Sequence, residues 1–373
     1  MTSPTTAPPP AGTTTARAAI MYAAKQPLII ETIDVDEPAA NEVVVKTSAS
    51  GVCHSDLHFM TGDYPYPVPV VLGHESAGIV EKVGSNVTRV KPGDRVVVAF
   101  VASCGACDFC TVGKPYLCGN SQALGRMGRI KLNGQPMLQF ANMSAFAEYQ
   151  LISENACVLV PDGVPMEVAC LVGCSVMTGV GAVSNTAKVP VGSTVAVIGA
   201  GGVGLNVIQG AALAGASRII AVDLLENKLA AAKEFGATDV VDASSGDAVQ
   251  QVQQMTGGGV DFAFEAIGLS KTAEQCWNML KKGGKAYVIG MIPVGDSVSV
   301  PGAEFFMTEK SIGGSFYGST RQTVDMPWLM ELYRQKRLKI DELISRRYKL
   351  DQINDAYEAL KNGEVNRSVI IFD

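Results

Sequence analysis

Apolar and polar positions follow two different rhythms along this chain. In the first half, short valine-rich runs at 42–46, 77–83 and 95–100 are separated by turn signals. Pro92-Gly93-Asp94 is such a turn, because proline presets φ and glycine tolerates the conformations that follow. These runs predict an all-β region carrying loops. Near Val191 the pattern changes. Apolar strands at 194–198, 219–222 and 286–289 alternate with alanine-rich helical stretches such as 225–235. That alternation predicts a parallel sheet built from βαβ units. Beyond residue 322 come an amphipathic helix at 328–336 and a last strand at 369–371. No internal repeat is visible. The first sixteen residues are rich in Pro, Thr and Ala and have no apolar face, so the chain is expected to begin with a disordered tail over residues 1–17.

Composition narrows the class. A chain of 373 residues is long for one core, and 47% hydrophobic residues are ample for two. A net charge of −6 without any basic run argues against nucleic acid and anionic membranes as partners. Nine cysteines with no secretory leader read as reduced thiols in the cytoplasm. No run is judged long and apolar enough to span a bilayer.

Four of those cysteines, Cys104, Cys107, Cys110 and Cys118, fall in the spacing C-x2-C-x2-C-x7-C. Thiols this close suit a tetrahedral all-sulfur shell, the usual form of a structural zinc site. An iron–sulfur cluster takes the same ligand set. A second feature is Gly199-Ala-Gly201-Gly202-Val203-Gly204, which lies between an apolar strand and a helical 205–213, with Asp223 nineteen residues further on. A strand, a glycine loop, a helix and a following acid form the dinucleotide fingerprint: the glycines admit the pyrophosphate to the helix N-terminus. Asp223 would accept from a ribose diol and repel a 2′-phosphate, favouring NAD over NADP. Lys228 could reach the same ribose, or be a surface lysine. The three histidines of the chain, His54, His58 and His74, all lie in two short segments, Gly51 to His58 and Gly73 to Glu75; a third segment, Gly173-Cys174-Ser175, offers another thiol. Cys157, Cys170 and Cys276 have no such neighbours and read as small buried apolar residues.

From about Ala18 to Asp373 the chain resembles the zinc-dependent alcohol dehydrogenases of the medium-chain dehydrogenase/reductase superfamily. The motifs carrying the resemblance are C-H-S-D-x-H, G-H-E-x2-G-x5-G-x2-V from Gly73 to Val87, the four-cysteine lobe, G-C-x3-T-G from Gly173 to Gly179 and the glycine loop, in the family's order. The resemblance implies an α/β fold: a GroES-like β-rich catalytic domain over 18–182 and 323–373 and a doubly wound Rossmann coenzyme domain over 183–322. It implies that Cys53, His74 and Cys174 hold a catalytic zinc with one position left for water or alcohol, and that the lobe holds a second, structural zinc. Asp56 would fix the His74 tautomer, and Glu75 would sit behind the metal. Ser55 and His58 would carry the alcohol proton to solvent. His54 and Arg367 match residues that contact the pyrophosphate, while Thr178 and Val203 match residues that shape the nicotinamide pocket. Tyr64 and Phe100 match positions lining the substrate cleft. Tyr64 replaces an acid, and His58 a tyrosine, of the glutathione-dependent formaldehyde dehydrogenases.

The expected activity is therefore reversible hydride transfer between NAD and a primary alcohol, medium-chain, allylic or aromatic. A nicotinoprotein that keeps its NAD(H) bound and uses an external carbonyl or artificial acceptor fits the same residues. A zinc-free reductase on this scaffold would lack the thiol ligands, and a non-enzymatic zinc module would not need the glycine loop. The long segment 121–143 resembles a loop of dimeric relatives, so a homodimer is expected over a tetramer.

Overall fold

The computed structural model describes residues 13–124 and 128–373. The chain divides into two compact units. The first contains residues up to Cys174 together with Arg321–Met330 and Ile344–Asp373; the second contains Ser175–Thr320 and Glu331–Leu343.

The first unit is β-rich, as the valine runs require. Glu42–Val52 is the axis of a seven-stranded sheet in the order Cys157–Leu159, Arg95–Val98, Ser76–Val83, Glu42–Val52, Arg367–Ile371, Ile344–Tyr348, with Tyr149–Ser153 also pairing to Glu42–Val52. A closed barrel of Thr14–Met21, Ile29–Val35, Ile130–Leu132, Gln135–Gln139 and Val70–Val71 completes it. Closure removes the exposed edges that a free sheet would present. One core joins Ile20, Ile33, Val52, Leu72, Phe146, Tyr357 and Ile370, all but excluded from solvent. Each fully buried aliphatic or aromatic side chain there contributes about 1.5–3 kcal/mol.

The second unit is a six-stranded parallel sheet in the order Asp239–Asp242, Arg218–Asp223, Thr194–Ile198, Val260–Glu265, Leu280–Val288, Ser311–Gly314. Its central strand Thr194–Ile198 buries Val195, Ala196, Val197 and Ile198 together, because helices cover both faces of such a sheet. The helix Gly202–Leu213 follows that strand directly.

Three expectations need correction. Residues 1–12 lie outside the described residues, but Thr14–Met21 is a strand paired to Ile29–Val35, so residues 14–17 do not belong to a tail. Ala16 is buried there and Thr15 opposes Asp34, which gives this Thr-rich start a sheet to join. Second, Glu331–Leu343 belongs to the parallel-sheet unit rather than to the β-rich one. Lys339 explains this: its N–H donates to Gln209, its carbonyl accepts from the Gln209 amide, and its ammonium donates to the Glu234 carbonyl. Third, Met166–Ala187 is a 22-residue apolar helix long enough to cross a bilayer. Of its most apolar window, 83% is buried within the protein, which is the behaviour of a core helix.

Candidate active site and metal centres

Three separate chain segments converge in the first unit. Cys53 ends the strand Glu42–Val52 and precedes the helix His54–Thr61 as its N-cap, where the helix dipole favours a thiolate. His74 follows Gly73, which adopts φ +92°; a Cβ there would come within 2.8 Å of the Phe146 backbone nitrogen and 3.0 Å of Ala145 Cβ. Only glycine makes that turn without displacing the neighbouring loop. Cys174 lies in a π-helical turn, Val172–Val176, inside the long apolar helix. Such one-turn irregularities redirect a side chain at functional sites.

The sulfur atoms of Cys53 and Cys174 and a ring nitrogen of His74 all lie within 4.8 Å of one another, and all three residues are buried. His74 Nε2 is 3.3 Å from Cys174 Sγ. Its other nitrogen, Nδ1, is 3.1 Å from Asp56 Oδ1, a carboxylate wholly removed from solvent. The same oxygen accepts from the Gly73 N–H at 3.0 Å. One nitrogen is thus held by a carboxylate and the other turned to the thiols, which is how ligating histidines are oriented. Hydrogen bonding to Cys174, with the nearby His74 and Arg367, holds Cys53 well below the ordinary thiol range despite its burial. Burial opposes protonation of His74, but Asp56 and Cys53 outweigh it and lift the imidazole to about 10. One acidified thiol and a second buried thiol beside one imidazole form a three-ligand set that fits a catalytic zinc.

The lobe fits a second ion. The sulfurs of Cys104, Cys107, Cys110 and Cys118 lie within 4.8 Å of one another. Backbone N–H groups of Ala106 and Cys107 donate to Cys104 Sγ at 3.4 and 3.3 Å, and that of Cys104 donates to Cys118 Sγ at 3.3 Å. Those N–H donors bring Cys104 down to about 6, whereas burial and its thiol neighbours push Cys110 up to about 12. N–H groups aimed at sulfur stabilise thiolates, the form a metal requires.

Around the first centre, Ser55 Oγ is 3.6 Å from Cys53 Sγ. His58, three residues on along the same helix, pairs through Nδ1 with Asp63 at 3.1 Å, and its ring meets Tyr64 edge-on at 5.9 Å. Phe100 stands perpendicular to His74 with ring centroids 5.5 Å apart. Glu75 is fully buried and forms an ion pair with the equally buried Arg367 guanidinium. His54 is exposed at the start of its helix. Sequence reasoning missed Phe140, whose ring packs 6.1 Å from His74 and 4.8 Å from Phe59, and Asp63. Phe140 is one aromatic among many in the chain, so no local signal marked it.

In the second unit, Gly199 takes φ +93° at the end of its strand, and a Cβ on Gly204 would fall 1.7 Å from the Gly199 carbonyl. The glycines therefore set how closely helix and strand approach. Asp223 accepts from the Ala200 N–H at 2.7 Å and the Leu225 N–H at 3.1 Å, tying the acid to the loop. Lys228 is buried rather than a surface lysine, and burial lowers its pKa against the pull of Asp223. Gly201, Gly202 and Val203 are partly exposed along the helix start, and Thr178 is partly exposed in the helix Met177–Gly181. Cys157, Cys170 and Cys276 are buried, and burial pushes each thiol up, away from reactivity.

Residues 39–162 match the family model of the alcohol dehydrogenase GroES-like domain, and residues 202–335 match that of the zinc-binding dehydrogenases. The S-(hydroxymethyl)glutathione dehydrogenase of Saccharomyces cerevisiae is 40% identical over 371 residues, 95% of this chain and 96% of that one. The crystal structure of an alcohol dehydrogenase zinc-binding domain protein from Burkholderia ambifaria superposes with a TM-score of 0.92 at 35% identity, covering 97% of this chain and 100% of the other. The benzyl alcohol dehydrogenase of Acinetobacter calcoaceticus gives a TM-score of 0.90 at 34% identity, over 96% of this chain and 100% of that one.

Proposed function

This chain belongs to the zinc-dependent medium-chain alcohol dehydrogenases, and from that premise we propose that it transfers hydride reversibly between NAD and a primary alcohol, allylic, aromatic or of medium chain length. The observation that carries the reading is the meeting of Cys53, His74 and Cys174 within 4.8 Å, with Asp56 behind the imidazole. A zinc ion bound there supplies Lewis acidity that makes a bound alcohol's hydroxyl easier to ionise. The remaining work falls to the chain. Ser55 would accept the alcohol proton as it gives up its own hydroxyl proton, and His58, held by Asp63, would release a proton to solvent. Glu75 and Arg367, whose charge also acts on Cys53, neutralise each other, so that neither is left as an isolated buried charge. Asp223 and the glycine loop of the second unit favour NAD through the unphosphorylated ribose.

Phe100 and Tyr64 argue for an apolar substrate, since aromatic walls favour rings and alkyl chains over polyols. The yeast relative's activity supplies the competing reading, a glutathione adduct. Such an adduct carries several charges, and Tyr64 offers it none. Steady-state kinetics decide between them. We expect kcat/KM for benzyl, cinnamyl or octyl alcohol to exceed that for glycerol, sorbitol and S-(hydroxymethyl)glutathione; a preference for the glutathione adduct would overturn the substrate assignment.

The protein acts as a homodimer in a reducing, cytoplasmic setting. Ser311–Gly314 is the last strand of its sheet, and Phe306 and Met307, a few residues before it in sequence, are 79% and 67% exposed. A terminal strand preceded by exposed apolar side chains suits a second copy of the chain.

A further inference from the structure

Asp56 uses only half of its carboxylate on His74. Oδ1 accepts from Gly73 and meets the imidazole, while Oδ2 is buried without a hydrogen-bond partner. The hydroxyl of Tyr357, in the helix Ile353–Lys361, is also buried without one. The two belong to the same neighbourhood. The Tyr357 ring meets Phe146 edge-on at 6.1 Å; Phe146 donates its N–H to Leu72 and lies against Gly73, whose own N–H is bonded to Asp56. Burial, and then the adjacent Asp56 and Cys53, push the Tyr357 phenol well above its ordinary range. A phenol kept in its protonated form beside a carboxylate is a donor facing an acceptor.

Further polar groups are buried on the adjoining strands. Ser50 and Ser368 also bury unpartnered hydroxyls. Ser368 opposes Val52 and Ser50 opposes Ile370 across antiparallel strands, so both hydroxyls share the face whose apolar residues pack with Tyr357. Several unpaired buried hydroxyls on one face are the setting in which ordered water is retained.

We propose that Tyr357 is a positioning residue of the zinc site, donating its hydroxyl to Asp56 Oδ2, directly or through one ordered water, and so completing a line Tyr357–Asp56–His74 that ends at the metal. The proposal rests on the assignment of Cys53, His74 and Cys174 as the catalytic zinc site. A carboxylate held at both oxygens keeps the imidazole aimed; one held at a single oxygen can rotate. Phenylalanine at 357 would fill the same space and leave Asp56 half-anchored.

The test is Tyr357→Phe in the full-length protein, with the four-cysteine lobe as internal control. Release of each zinc to a chelator is followed alongside the visible spectrum of protein carrying cobalt in the catalytic site. Tyr357→Phe should release zinc from the Cys53–His74–Cys174 site about 10-fold faster, within the 10–100-fold range of such outer partners, with lobe release unchanged and the cobalt bands shifted. Equal release and an identical cobalt spectrum overturn the inference while leaving the zinc site intact. A wild-type site that binds neither zinc nor cobalt overturns the site and the inference with it. Should the variant fail to fold, a high-resolution structure of the wild type decides: Tyr357 Oη bonded to Asp56 Oδ2, or joined to it by one water, supports the line, and an apolar gap between them refutes it.

Discussion

His74 carries opposite demands before and after metal enters. Against the opposing effect of burial, Asp56 and Cys53 lift its imidazole to about 10, above the ordinary 6.5, so its charged form stabilises the fold fully below pH 6.5 and loses that contribution as pH rises through 10. Zinc requires the neutral ring and two thiolates, so binding must expel protons. Zinc affinity at this site should therefore rise from pH 6 to pH 8, with proton release visible by calorimetry in buffers of differing ionisation enthalpy; a pH-independent affinity would contradict the ligand set. Cys174→Ser should leave one zinc per chain by elemental analysis and lower kcat/KM roughly 10³-fold, the loss of several kcal/mol of Lewis-acid stabilisation. At this scale the sequence was readable where residue types are scarce: three histidines and nine cysteines leave few ways to build a metal shell. Phe140 and Tyr357 were not readable, since aromatic residues are common and only folding brings these two beside His74 and Asp56.

Elements deliver those side chains, and glycine controls two of the deliveries. Gly73→Ala places a methyl against the Phe146 backbone at φ +92°, a strain of about 1–3 kcal/mol. Thermal melting should detect it as a lowered Tm, together with weaker zinc retention. At the glycine loop, Asp223 holds two backbone N–H groups and is the predicted ribose acceptor. Asp223→Asn removes the charge in nearly the same shape. It should weaken NAD by about 10-fold, the loss of one charge-assisted hydrogen bond, and narrow the preference against NADP; unchanged KM values for both cofactors would exclude the ribose role. The strand–loop–helix succession around residue 200 was legible because period-2 and period-3.6 patterns meet at the glycines. The π-turn that presents Cys174 was not, because an irregular turn inside a continuous apolar helix leaves the hydrophobic pattern unchanged.

At the scale of the molecule, two units were legible from the change of rhythm near residue 191, but their borders were not. Thr14–Met21 joins a barrel that depends on Val70–Val71 and Gln135–Gln139, far along the chain, and Glu331–Leu343 is claimed by Gln209. Sedimentation velocity should give a dimer, and Phe306→Asp with Met307→Lys should shift it to monomer with both zincs retained; a dimer indifferent to those changes would place its interface elsewhere. The two metal centres also differ in how they can be assembled. Cys104 and Cys118 are 14 residues apart, whereas His74 and Cys174 are 100 apart. Closing the longer loop costs roughly 2 kcal/mol more in chain entropy. During ribosomal synthesis the lobe can capture its ion while most of the polypeptide is still to be made, but the reactive centre cannot form until the residue after Gly173 has emerged. The chain order therefore predicts that metal loading of the nascent protein is ordered in time, the four-cysteine lobe first and the Cys53–His74–Cys174 site last.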